Sequence, residues 1–79
     1  MNRSPFTLRR INKLIGQTMR QIQLAPKSSM LREYLVWSLR WLNMARKAFH
    51  DGIGSSVRTR LELAALNLKW ANEAKTEGV

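Results

Sequence analysis

Both prolines and three of the four glycines fall at the edges of three long stretches, and this punctuation constrains the fold more than any other feature of the chain. Ser4 precedes Pro5, an N-cap followed by proline at the first helical position. Ala25-Pro26-Lys27-Ser28-Ser29 is a break that ends in serines able to cap the next stretch. Asp51-Gly52-Ile53-Gly54-Ser55-Ser56 is a second break, a glycine stop and then two more candidate caps. Gly78 closes the last stretch. Few residues between the breaks are β-branched, so the stretches read as helices and not strands. The expected fold is all-α. Helices over about 5–24, 29–50 and 56–75 form one domain spanning 1–79.

Spacing within each stretch supports this. In the first, Leu8, Ile11, Ile15 and Ile22 share a stripe with Leu14 and Met19 beside it. Gly16 interrupts it at a cost of roughly 1 kcal/mol relative to alanine. The second carries two apolar seams. One is Leu31, Leu35, Ser38, Leu42, Ala45 and Phe49. The other is Met30, Tyr34, Trp37, Trp41, Met44 and Ala48. Two adjacent seams make a face too wide for one neighbour, so this helix is expected at the centre. The third has Val57, Leu61, Ala64, Leu68 and Ala71 in register, widened by Leu63, Leu66 and Trp70. Arg58 and Glu62 stand at pairing distance along it. Two helices of matched length joined by a short glycine loop predict a long antiparallel hairpin. The N-terminal basic amphipathic helix is then expected to pack across it. Leu35, Leu42, Leu61, Ala64 and Leu68 are the expected core.

Charge supplies the clearest functional signal. The chain carries a formal net charge of +9. Arg3, Arg9, Arg10, Lys13, Arg20, Lys27 and Arg32 all precede the first carboxylate, Glu33. A merely solvated face usually mixes signs, and an acid-free block attracts anions. Arg9, Arg10, Lys13, Arg20, Lys27 and Arg32 are therefore the candidate residues for an anionic partner. Tyr34, Trp37 and Trp41 are the candidate interface anchors. Trp, Tyr and Arg dominate binding hot spots, although rings at helical spacing more often pack inside.

Several functions find no support in the residues. The chain has no cysteine and one histidine, which excludes a thiolate or multi-histidine metal site within one copy. No cofactor is implied. His50-Asp51 has no nucleophile placed with it and reads as a helix end and turn. Gly52-Ile53-Gly54 lacks the strand that a phosphate loop needs. Five scattered carboxylates form no catalytic pair. The third helix is too rich in Leu and Ala for a helix-turn-helix recognition helix.

No stretch reaches the ~20 apolar residues of a membrane span, because Arg40 and Asn43 break the most apolar one. Nor is there an uninterrupted apolar run of the secretory kind. The first 25 residues share the arginine-rich, acid-free amphipathicity of a mitochondrial presequence, but removing them would leave only a hairpin. A cytoplasmic location is the expectation, in the host's cytoplasm if the chain is viral. So small a domain is also expected to complete its core through a second copy or a partner.

The Leu- and Ala-rich third helix, ending Trp70-Ala71-Asn72-Glu73-Ala74, resembles hairpins of phage proteins that sequester signalling nucleotides. The likeness covers about a quarter of the chain. More broadly, a compact, cysteine-free, charge-biased helical chain resembles phage accessory proteins that bind and disable a host machine. The leading expectation is a non-enzymatic regulator, inhibitor or adaptor. It would dock on an acidic protein surface through the basic first helix and the aromatic seam. The alternatives are a sequence-nonspecific DNA- or RNA-binding protein and a sponge for a small anionic nucleotide.

Overall fold

The computed structural model describes residues 8–76, which form three helices and no strand. They are α1 (Leu8–Leu24), α2 (Met30–His50) and α3 (Gly54–Thr76). The expected start of the first helix at Ser4-Pro5 lies outside the described residues. Helices α2 and α3 pack along their length as an antiparallel hairpin, and α1 packs across it mainly against α2.

The expected breaks act through named atoms. Ser29 caps α2: its backbone is extended, and its Oγ accepts a hydrogen bond from the Arg32 N–H at 3.2 Å. The same hydroxyl donates to the Pro26 carbonyl at 2.8 Å, which ties the cap to the loop. At the other end of α2, Gly52 takes φ +76°, the left-handed region that suits glycine. The Gly52 N–H then donates to the Phe49 carbonyl, and the Ile53 N–H to that of Ala48. This is a Schellman stop, and it turns the chain tightly enough to start α3 at once.

That tight turn corrects the expected start of the third helix. Ser55 and Ser56 do not cap it, because α3 already begins at Gly54. The Val57 N–H reaches the Ile53 carbonyl at 3.1 Å, so the helical ladder starts before the serines. Nor do Arg58 and Glu62 pair. The ion pair observed among the described residues is Lys47 with Asp51 at 3.4 Å, across the end of α2.

The main core joins Ile11 and Ile15 of α1 to Leu42, Ala45 and Ala48 of α2 and to Val57, Leu61 and Ala64 of α3. A smaller cluster of Ala25, Leu35 and Ala71 closes the end near the Pro26 loop. Small residues set the spacing of the hairpin. Ser38, Ala45, Ala48, Ala64 and Ala71 are all fully or almost fully buried. Ser38 Oγ donates to the Ala64 carbonyl at 3.0 Å, so the two backbones approach closely there. Asn67, also buried, satisfies its amide on the Leu63 carbonyl at 2.9 Å. Among the described residues no buried side-chain polar atom lacks a partner.

One expected core position, Leu68, and two residues of the apolar stripes, Phe49 and Met19, lie further out. Leu68 is only half-buried, and Phe49 and Met19 are exposed. Leu68 still packs against the cluster of Ala25, Leu35 and Ala71. Gly16 is neither a packing contact nor a close approach, since a Cβ there would meet open space.

Candidate functional site

The candidate residues separate onto two sides of the hairpin. Ile11, Ile15 and Thr18 point α1 into the core. With 3.6 residues per turn, Arg9, Lys13 and Arg20 project from the side opposite that buried stripe. Together with Arg10 they are exposed. No acidic residue occurs on α1. The exposed surface of α1 therefore carries positive charge and no negative charge.

The aromatic seam lies on the other side of the hairpin. The Tyr34 ring packs against Trp70 of α3, centroids 5.8 Å apart and planes tilted by 52°. Trp41 is half-buried against the main core. Trp37 is 47% exposed. So the seam divides: Trp41 and Tyr34 are partly core, and Trp37 is a surface ring. Trp70 belongs with them, although its spacing on the third helix suggested only a wider core stripe. What could have identified it is the antiparallel register, which brings Trp70 level with Tyr34.

Basic helix and aromatic seam therefore cannot meet one flat partner surface together. The structure brings a different subset together. Lys27 in the loop and Arg32, Glu33, Val36, Trp37 and Arg40 on α2 line an open cleft of about 210 Å³. Arg32 is anchored within it, its Nη1 donating to the Ile22 carbonyl at the end of α1 at 3.2 Å. The Arg40 guanidinium lies over the Trp37 ring, 5.1 Å from its centroid. Arg40 was not among the sequence candidates. The signal for it was its position three residues after Trp37, which places the two side chains side by side on a helix.

The cleft holds three cations against one carboxylate, around an exposed indole. Its cations come from two segments, the Pro26 loop and α2, and one is held by the backbone of α1. Chemically it can attract an anion, offer guanidinium and ammonium donors to it, and stack a planar group on the free side of Trp37. Glu33 adds an acceptor for an N–H group. Among the described residues no group of three or more His, Cys, Asp or Glu side chains could hold a metal ion. No helix there is long and apolar enough to cross a membrane. No family model, curated protein or solved structure matches the chain.

Proposed function

We propose that this chain is a non-enzymatic binding protein whose ligand is a small anion bearing a planar ring, a nucleotide. The observation that carries the reading is that Lys27, Arg32 and Arg40 line one cleft with the exposed Trp37, Arg40 lying over its ring. Phosphate oxygens suit the cations, and a base suits the indole, whose stacking is worth about 1–3 kcal/mol per base. No catalytic pair accompanies the cleft, so the reading is capture and not turnover.

The test is calorimetric titration with a panel of mononucleotides and cyclic dinucleotides, with inorganic phosphate as the control. The expected result is binding of at least one nucleotide more tightly than phosphate. Trp37→Ala should weaken that binding by about 1–3 kcal/mol. Arg32→Gln should weaken phosphate and nucleotide alike. A chain that binds none of the panel sinks the proposal.

A second reading rests on the acid-free outer face of α1. Under it the chain is a regulator or adaptor steered to an acidic protein surface by Arg9, Arg10, Lys13 and Arg20. Nucleic-acid phosphate is the alternative anion there. The quadruple change of these residues to Gln separates this reading from the first. It should abolish binding to polyanions and leave nucleotide binding at the cleft unchanged. Duplex DNA would add a log–log salt slope of about −0.9 per phosphate contacted.

A further inference from the structure

The hairpin side that α1 leaves uncovered is apolar, aromatic and open. Trp37 and Met44 of α2 and Leu66 and Trp70 of α3 are each about two-fifths or more exposed there. Exposed apolar residues scattered singly are ordinary, but a contiguous group spanning two helices marks an interaction surface. We infer that a second copy of this chain covers this face, making a two-fold homodimer through α2 and α3.

The charges on the rims of the face select that occupant. Ser38 faces Ala64 across the hairpin, and each step up α2 is a step down α3. Glu33 on the rim of α2 therefore stands level with Lys69 on the rim of α3, and Arg40 stands level with Glu62. Along α2 the signs run negative then positive, and level with them on α3 they run positive then negative. Two faces can meet about a two-fold axis lying in their plane in two ways. An axis along the helices sets Glu33 against the second copy's Lys69 and Arg40 against its Glu62. An axis across them sets Glu33 against the second copy's Arg40 and Glu62 against its Lys69. Opposite charges meet in both, so the face is complementary to itself. Of the other charges along these edges, Lys47 pairs with Asp51. Arg58 and Glu73 flank Glu62 and Lys69 on α3; they meet each other about the axis across the helices and meet no acidic or basic α2 residue at their own level about the axis along them.

The strong positive charge of the chain does not oppose this pairing. The basic face of α1 lies on the far side of the hairpin and points away from a second copy. Charge separated by more than about 8 Å of salt solution is largely screened at physiological ionic strength. The inference does not rest on the nucleotide reading, but both use Trp37 and Arg40, so a bound nucleotide and a second copy compete for this face, and the first variants sit on α3, away from the cleft.

Sedimentation of the full chain over a range of concentrations tests it. The wild type should sediment as two chains. Trp70→Glu and, separately, Leu66→Glu should reduce that to one while the far-ultraviolet spectrum stays helical. Should either change unfold the chain, the exposed Glu62→Lys gives an independent reading. It should weaken the dimer whichever axis operates, by setting the new lysine against Arg40 or against Lys69. Adding Arg40→Glu should restore the dimer if the axis runs along the helices, and adding Lys69→Glu if it runs across them. A wild type that remains a monomer at every concentration, or a Glu62→Lys dimer restored by neither second change, overturns the inference.

Discussion

Leu42→Ala should cost about 2–5 kcal/mol of folding stability, read from chemical denaturation of the variant beside the wild type. The side chain is 1% exposed and lies where all three helices meet. Ile11 and Ile15 reach it from α1, and Val57, Leu61 and Ala64 lie in the same cluster. Truncation removes contacts to every layer at once, and the helices cannot close the gap without pulling α1 off the hairpin. For a domain of this size that is a large share of the total stability. A variant as stable as the wild type would mean that the core is not centred on this residue.

Overfilling the hairpin should be almost as damaging. Ala64 is 1% exposed and its carbonyl accepts the Ser38 hydroxyl. Ala64→Leu must push α3 away from α2 at that level, breaking the hydrogen bond and stranding a buried hydroxyl. The expected loss is about 1–3 kcal/mol from overpacking, with the lost hydrogen bond adding to it. Pairing it with Ser38→Ala removes the stranded hydroxyl and should recover part of the loss. If the double variant is no better than the single one, the close approach at Ser38 is not what sets the spacing.

The fold was legible in the sequence because its signals are local. Ser29, Gly52 and Pro26 act on the residues beside them, and their effect does not depend on the rest of the molecule. The apolar stripes of α1 and α2 likewise need only helical periodicity. The third helix was harder. Its apolar residues spread around much of its circumference, so Leu66 and Trp70 could not be told from core until the neighbour was placed. Its start was misread for another local reason. The Schellman turn leaves no room for a separate cap at Ser55 or Ser56.

The candidate site was legible only in pieces. Lys27 and Arg32 stood out by charge and Trp37 by its ring, yet they were assigned to two different roles. Only the bend at Pro26 shows that a loop lysine and two α2 arginines share a cleft with that ring. That the basic helix and the aromatic face are on opposite sides is also a tertiary fact. Each stripe can be drawn on its own helical wheel, but no wheel says how three of them are stacked.

The order of the helices in space is also their order along the chain: α1 against α2, and α2 against α3. Helices adjacent in sequence can find each other by closing only a short loop, a small entropic cost. No distant segment has to be threaded or brought back before the core can form. Low contact order of this kind places folding among the fast, helical-bundle class, in microseconds to milliseconds. The hairpin can also assemble while α1 is still undocked, because the close contacts of Ser38 with Ala64 and of Tyr34 with Trp70 need nothing from it. The basic helix adds the outer layer by closing only the short Pro26 loop onto α2, whether the hairpin forms before it or after.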